Sequence, residues 1–558
     1  MNERHFKFWP KRLPRSLTLP KTSVYHNLKV SAERYPEKTA IYYYGTEISY
    51  ERLLAESESL AGYLQQYLGV QNGDRIVLYM QNSPQFAVAF YAILRAGAAV
   101  VPVNPMSLTE ELTHHLDDSG ARVAICGGEL YSRISPFLGE SSLERLVIAT
   151  YSDYLKEETD LALPDVVSAP EEEIKSEGGI PWHAMLEAGR SPEGVPVEPE
   201  DMALLPYTSG TTGRPKGCVH AHSTLNANLI GAALWNGITS DSVSLSTLPF
   251  FHVTGMEHSM NAPIFAGGAM VLMTRWDKQL AAELVQRHRV THWTNISTMV
   301  VDLLSNPEIE KYDLSSLQFV GGGGAAMPEA VGKKLEDLAG LRYAEGYGLS
   351  ETIAQTHMNP PDRPKLQCLG IPSFDVDSRV VNPETLEEVV PGEEGEIVSS
   401  GPQVMKGYWR RPEADEEVFF ERDGRRFLRT GDIGTIDEEG YFFMVDRLKR
   451  MINVSNYNVW PAEVESALYE HPAIQEAAVI SIPDERTGEA AKAMVVLREE
   501  EKGKANPEDI VEWAKSKMAD YKYPRSVEFI DELPKSGSGK ILWRELQERE
   551  QAKIAEAR

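Results

Sequence analysis

The sequence predicts an α/β protein: a large, multi-layered N-terminal domain of sheets flanked by helices, with a β subdomain, followed by a small α+β C-terminal domain. Three observations predict it. Helix and strand signals alternate through the first half of the chain, the pattern of layered sheets covered by helices. The rhythm then shifts to shorter β elements around turns, at "GEIVSSG" (395–401) and "GYFFMVDR" (440–447). After "DRLKRM" the chain carries an α/β pattern of its own, long enough for a small independent domain. The boundary falls in 446–449, dividing the chain into 1–446 and 447–558.

The elements can be justified in order. Leu53, Leu60, Leu64 and Leu68 share a helical face, and Gly69 stands where the helix would be capped. "RIVLYM" (75–80) reads as a strand, and "NSP" (82–84) as a helix start with Pro84 tolerated in the first turn. The most apolar stretch, "FAVAFYAILRAGAAVVPV" (86–103), contains Arg95, Gly97 and Pro102, so it reads as a buried helix followed by a strand rather than a membrane span. "VAICGG" and "RLVIAT" are two further buried strands. Residues 151–200, acidic and rich in Pro and Gly, read as a long surface excursion. In the C-terminal part "WPAEVESALYEHP" and "PEDIVEWAKSKM" are helical, and "EAAVISIP" and "AAKAMVVL" are strands.

Composition narrows the function. Hydrophobic residues at 42% and charged residues at 25% describe a globular protein, and 558 residues imply more than one domain. Three cysteines far apart (Cys126, Cys218, Cys368) make neither a disulfide framework nor a zinc cluster, and suit a reducing compartment such as the cytoplasm. With 83 acidic against 56 basic residues and a net charge of −27, non-specific nucleic-acid binding is disfavoured. The basic start, "MNERHFKFWPKRLPRSLTLPK", lacks the apolar core of a secretory signal. Peripheral membrane contact through it stays open.

The stretch "YTSGTTGRPKG" (207–217) has almost nothing to pack into a core. Unobstructed backbone N–H groups make an anion cradle, and glycine lets the chain approach closely. Thr208, Ser209, Thr211 and Thr212 add hydroxyl donors, Gly210 and Gly213 add freedom, and Lys216 adds a mobile positive charge. A phosphate chain is the natural guest. The stretch is not the common P-loop, which needs its lysine directly after a glycine and a Ser or Thr next. Pro215 keeps the chain extended before Lys216.

This stretch resembles the signature of the adenylate-forming superfamily, which includes acyl-CoA synthetases, beetle luciferases and peptide-synthetase adenylation domains. Five further stretches agree, in order: "GGGGAAMP" (321–328), "EGYGLSET" (345–352), "RTGDIG" (429–434), "DRLKRMINVSNYNVWPAEVE" (446–465) and "LPKSGSGKI" (533–541). The resemblance covers nearly the whole chain. It implies two half-reactions. A carboxylate attacks the α-phosphate of ATP, releasing pyrophosphate, and a thiol then displaces AMP. The implied cofactors are ATP, Mg²⁺ and, as co-substrate, CoA; a homodimer is compatible with the resemblance.

The resemblance also implies roles. The 207–217 loop cradles the β- and γ-phosphates. In the segment Glu345, Gly346, Tyr347, Gly348, Leu349 and Ser350, Tyr347 stacks on adenine and Ser350, where the family usually has Thr, bonds a phosphate. Glu351 is the Mg²⁺ ligand, since magnesium on phosphates takes few protein carboxylates. Gly324, Ala325 and Ala326 line adenine and acyl chain. Asp432 accepts from both ribose hydroxyls, with Arg447 near ribose or phosphate. Lys540 is the central residue of the first half-reaction: an ammonium on a long stem reaches both the α-phosphate and the attacking carboxylate. Lys449 stands at the hinge, about which a mobile C-terminal domain withdraws Lys540 and presents its 453–458 face to the thiol.

The wall of the acid pocket falls on "LPFFHVTGMEHSMNAPIFAGGAMVLM" (248–273). Amino-acid-activating relatives hold an aspartate near here; this chain has no acid before Glu257, which argues against an amino-acid substrate. His252, Gly255, Met256, Met260 and Gly323 leave room for a hydrocarbon, and Trp235 is a weaker candidate for which core packing is an equal reading. The leading expectation is a fatty-acid–CoA ligase. The alternatives are an aryl- or other carboxylate–CoA ligase, or an acyl-AMP ligase that loads a separate carrier protein.

Overall fold

The structure is a computed structural model and describes every residue except 1–3, 156–157, 176, 209–213, 325, 456, 485, 536–540 and 558; for 458 and 555–557 it describes the backbone alone. Two compact units make up the chain. The first is Met1–Ser378 with Ser399–Leu428 and Glu438–Phe442; the second is Arg379–Val398 with Arg429–Asp437 and Phe443–Arg558. Compactness and chain order therefore divide the molecule differently. Division by order at 446/447 leaves two short β segments with the N-terminal part that cluster in space with the C-terminal residues.

The first unit is built on two large sheets. One runs in the order Ile371–Pro372, Ala354–Met358, Ala344–Leu349, Phe319–Gly322, His292–Asn295, Val243–Ser246, Ala269–Leu272, Thr39–Tyr43, Thr46–Ser49. Its six central strands are parallel, and antiparallel strands finish both edges. The other runs Gly407–Tyr408, Lys216–Ala221, Met202–Leu204, Ala99–Pro102, Arg75–Tyr79, Val123–Gly127, Arg145–Ala149, Gly179–Pro181, with Tyr207–Thr208 paired to Lys216–Ala221.

Burial explains the apolar runs. Along Arg75–Tyr79, Ile76 and Leu78 join the main core while Val77 and Tyr79 join a second cluster on the opposite face. Both faces are covered, so the strand has no polar alternation. Helix Pro84–Arg95 is buried along its length up to Leu94, which accounts for its all-round apolar sequence. Its first turn is capped as expected: the Phe86 N–H donates to Ser83 Oγ at 3.2 Å. Helix Tyr50–Gln66 ends where Gly69, at φ +64, turns the chain so that Val70 N–H returns to Leu64 O. Residues 151–200 are more than a surface excursion. Gly179–Pro181 adds the edge strand of the second sheet, and Trp182 and Met185 on the following short helix are buried.

The second unit carries a sheet ordered Tyr457–Val459, Ile452–Val454, Gly488–Leu497, Ile474–Asp484, with Ser526–Phe529 parallel to Gly488–Leu497. Val479, Ala493 and Val495 face helices Pro461–Leu468 and Pro507–Lys517 through Val464, Leu468 and Ile510. Their neighbours Ala478, Ile480, Met494 and Val496 face Leu546 of helix Trp543–Ala557. The period-two split puts hydrocarbon on both faces.

Candidate active site

The two ends of the glycine- and threonine-rich stretch pair as the stems of a hairpin. Tyr207–Thr208 pairs with Lys216–Ala221, Thr208 opposite Lys216 and Tyr207 opposite Gly217. Ser209, Gly210, Thr211, Thr212 and Gly213 lie outside the described residues. The hairpin is anchored on its far side too, where Cys218 pairs with Tyr408 and Val219 with Gly407. Lys216 Nζ stands 5.0 Å from the centre of the Tyr408 ring, a cation–π distance.

The second predicted motif arrives at the same tyrosine. Ala344–Leu349 turns through a short 3₁₀ segment, Ser350–Thr352, into the antiparallel Ala354–Met358. The Tyr408 hydroxyl lies 3.1 Å from Glu351 Oε1. The turn is pinned by backbone as well: Met405 N–H donates to Glu351 O at 2.8 Å, and His220 Nε2 lies 2.7 Å from Ser350 O. Burial lowers His220 to about 4, so the ring is neutral near pH 7 and its Nε2 carries the donated proton. Lys216, Ser350, Glu351 and Tyr408 thus form one cluster in the first unit. Burial, then Glu351, push the Tyr408 phenol up, so it stays a hydroxyl donor.

Close backbone approach explains the glycines here. A Cβ on Gly348 would lie 1.6 Å from Ala354 O, one on Gly322 1.8 Å from Asn295 O, and one on Gly323 2.4 Å from Gly346 O. Gly324 has φ +89 and is exposed, as is Ala326; Ala325 lies outside the described residues. Tyr347 is half-buried with its ring 5.5 Å from that of His357. The Glu345 side chain is engaged differently from the glycines around it. Its carboxylate accepts Met327 N–H at 2.5 Å and Cys368 N–H at 2.7 Å, holding the chain that follows Gly324–Ala326. Burial raises its pKa, and those backbone donors oppose the rise.

On the predicted acid-pocket wall, Gly255–Asn261 is a π-helical turn, which spaces its side chains differently from an α-helix. Gly255 is required there, since a Cβ would lie 2.2 Å from Pro249 O. Met256 and Met260 are fully buried in the main core, and His252 is half-buried with Nδ1 3.4 Å from Thr254 N. Trp235 follows the packing alternative of its two readings. It is 1% exposed, packs edge-on to Trp9 at 4.9 Å and to Phe374 at 5.7 Å, and donates its indole N–H to Asn359 O at 2.9 Å. It is a core residue, because two aromatic rings distant in sequence surround it.

In the second unit, the predicted ribose pair is brought together: Arg447 Nε lies 3.1 Å from Asp432 Oδ1. Asp432 is buried, and the preceding Gly431, at φ +71, donates its N–H to Glu396 at 3.0 Å. Lys449 is exposed within the 3₁₀ segment Leu448–Arg450. Asp446 ties this segment to the helix beyond it, accepting Arg447 N–H at 2.6 Å and Ala462 N–H, in the first turn of Pro461–Leu468, at 2.7 Å. Lys540 lies outside the described residues.

Three residues at the site had not been singled out: Tyr408, Asp118 and His114. The signal for Tyr408 was the aromatic pair in "KGYWRRP" (406–412), and for the other two the His-His and Asp-Asp doublets of "THHLDDSG" (113–120). Among the described residues no group of three His, Cys, Asp or Glu side chains could hold a metal by itself. No described helix is long and apolar enough to cross a membrane.

Known proteins resemble the chain over most of its length. Residues 28–409 match the family model described as AMP-binding enzyme, and 463–540 match that of the AMP-binding enzyme C-terminal domain. A long-chain-fatty-acid–CoA ligase of Bacillus subtilis (strain 168) is 38% identical over 552 residues, covering 97% of each chain. A feruloyl-CoA synthase of an Amycolatopsis species is 35% identical over 520 residues, 92% of this chain and 96% of its own. Among solved structures, ATP-bound MatB from Rhodopseudomonas palustris superposes with a TM-score of 0.82 at 27% identity, over 95% of this chain and 99% of that one.

Proposed function

The chain belongs to the AMP-binding enzyme family, and we propose how its residues divide the work of that chemistry. It is an AMP-forming acid–thiol ligase: it uses ATP to activate a fatty acid to acyl-AMP and transfers the acyl group to CoA. In the first step a carboxylate oxygen bonds to the α-phosphorus and pyrophosphate leaves. In the second the thiol sulfur bonds to the acyl carbonyl carbon and AMP leaves.

The observation that carries the assignment is the meeting of Lys216 and Glu351 on Tyr408. One element of the hairpin supplies a cation and the neighbouring turn supplies a carboxylate, the two charges that a metal-bound triphosphate needs. The 207–217 loop and Ser350 bind the phosphates, and Tyr347 faces adenine between Gly324–Ala326 and Gly346–Gly348. Asp432 and Arg447 hold the ribose. Magnesium suits this donor set, because it binds through one or two carboxylates plus substrate phosphates rather than in an all-protein cage; Glu351 would hold it and it would neutralise phosphate charge. Lys540 stabilises the charge of the pentacovalent transition state. Residues 1–446 act as the adenylation domain and 447–558 as the lid that turns at Lys449.

His252, Gly255, Met256, Met260 and Gly323 bound the acid site. The small Gly255 and Gly323 and the adaptable methionine side chains support a hydrocarbon guest. An aryl acid is the second reading, supported by the relative named feruloyl-CoA synthase. Cys126, Cys218 and Cys368 are buried thiols rather than disulfide partners, which fits a reducing cytoplasm. Carboxylate-dependent pyrophosphate release, measured over fatty, aryl and amino acids with and without CoA, tests the assignment. Release with fatty acids supports it, release confined to aryl acids transfers it to the second reading, and release without any acid dependence overturns both.

A further inference from the structure

Helix Thr109–Ser119 lies on the outer face of the second sheet, where Leu112 and Leu116 pack with Val77, Val101 and Ala124. Its Glu111 carboxylate accepts the Leu108 N–H at 3.2 Å, and Gly120, at φ +63, ends it. On this helix His114 and Asp118 are four residues apart and share a side. Each reaches one stem of the 207–217 hairpin. Tyr207 donates its hydroxyl to Asp118 Oδ2 at 2.8 Å, on the stem entering the loop. His114 Nε2 lies 2.6 Å from Pro215 O, on the stem leaving it. Among the described residues the partner of that nitrogen is this carbonyl acceptor, so the nitrogen carries the proton.

The contacts around Asp118 close a circuit. Its Oδ1 receives Arg411 Nη2 at 2.8 Å, and its backbone oxygen receives Trp409 Nε1 at 3.0 Å. Trp409 N–H donates to Gly217 O at 2.8 Å, and Gly217 pairs with Tyr207, which returns to Asp118. The His115 ring stands edge-on to Tyr207 at 4.7 Å; burial lowers it to about 4, so it packs there as a neutral ring. The sheet holds Lys216–Ala221 through Gly407–Tyr408 and Met202–Leu204, whereas Tyr207–Thr208 joins it, among the described residues, by the two pairs Thr208–Lys216 and Tyr207–Gly217. Pro215 has no N–H to extend the ladder, and its carbonyl is the group that His114 takes.

We propose that His114 and Asp118 are positioning residues for the phosphate loop: a clamp on its two stems that holds Thr208 and Lys216 in register at the loop mouth. This rests on the reading that 207–217 takes the triphosphate. Donors fixed before the substrate arrives cost no reorganisation when charge develops, and a loop freed at one stem loses that advantage.

The test compares the half-reactions in the full-length protein. His114→Ala and Tyr207→Phe should raise KM for ATP and slow acid-dependent pyrophosphate release by about 10- to 100-fold. Thioester formation from supplied acyl-adenylate and CoA should stay at the parent rate. His114→Gln, which keeps a side-chain N–H donor, should recover most of the loss. Equal loss in both half-reactions, with a lowered melting temperature and no rescue by His114→Gln, would overturn the proposal in favour of general structural support. Unchanged ATP use in both variants would overturn it outright. Lys216→Ala separates the two readings. If it too leaves ATP use intact, the phosphate role of the loop is what fails; if it alone cripples ATP use, the clamp fails and the loop stands.

Discussion

Tyr408 hands its hydroxyl to Glu351 across 3.1 Å while the Lys216 ammonium stands 5.0 Å above the same ring. One side chain thereby sets the spacing of a cation and an anion that come from separate sequence motifs. Tyr408→Phe keeps the ring beneath Lys216 and removes only the hydroxyl. A hydrogen bond to a charged group contributes about 1.5–3 kcal/mol, so kcat/KM for ATP should fall about 10- to 100-fold. The Mg²⁺ concentration giving half-maximal pyrophosphate release should rise, because Glu351 would no longer be held in place. A magnesium titration of parent and variant checks this; superimposable curves would remove Tyr408 from the account.

Lys540→Ala should abolish acyl-adenylate formation yet spare thioester synthesis from supplied adenylate. The lysine acts on the pentacovalent α-phosphorus, and the second half-reaction passes through none, because its bonds form and break at the acyl carbonyl carbon. Separate assays of the two halves decide it, and equal loss in both would refute the division of labour.

What the sequence disclosed and what it hid follow from contact range. The strand "VAICGG" and the helix opened by Ser83 and Pro84 were legible because their signals are local: apolar runs, caps, a proline in the first turn. The hairpin loop was legible because its composition excludes a core. Tyr408 was not, since its partner Glu351 is 57 residues away, and the Tyr207 partner Asp118 is 89 away. No periodicity reports such a pair. Residues 151–200 misled for a related reason: a polar, proline-rich composition masked Trp182 and Met185, which are buried by a sheet formed from earlier residues.

Trp235 tests the same lesson experimentally. With its indole N–H on Asn359 O and two aromatic neighbours, Trp235→Phe leaves a buried carbonyl without its donor, costing about 1–3 kcal/mol. Thermal unfolding should report that loss. The order of preference among fatty acids of different length should not move; a changed order would return Trp235 to the pocket.

Gly348→Ala asks whether the turn bearing Glu351 can shift. The new Cβ would sit 1.6 Å from Ala354 O, a backbone atom that cannot rotate away. The strand pair must separate, at about 1–3 kcal/mol, and Ser350–Thr352 must move with it. Adenylation should therefore fall more steeply than stability. A folded variant with parental pyrophosphate release would show that the position of Glu351 is not critical.

Glu257 supplies a prediction in pH. It is fully buried on the π-helical turn; its Oε1 accepts Asn261 Nδ2 at 2.7 Å, Asn261 in turn accepts the Tyr91 hydroxyl at 2.7 Å, and its Oε2 has no hydrogen-bond partner among the described residues. Burial raises the carboxyl well above the ordinary glutamate value. At any pH between the ordinary and the raised value, the folded chain keeps a proton that the unfolded chain has released. The native state binds more protons there, so its stability falls as pH rises through that window, by up to about 1.4 kcal/mol per pH unit. The contribution is fully favourable below the ordinary glutamate range and is lost progressively above it. Glu257→Gln preserves the acceptor for Asn261 but cannot ionise. Whatever fixed cost its buried amide adds is the same at every pH, whereas the ionisation penalty belongs to the parent alone. The unfolding midpoint of Glu257→Gln should therefore gain on the parent as pH is raised from the acidic side. Parallel midpoint curves across that range would mean that the folded and unfolded chains hold this proton equally, and that the π-helical turn does not confine a neutral acid.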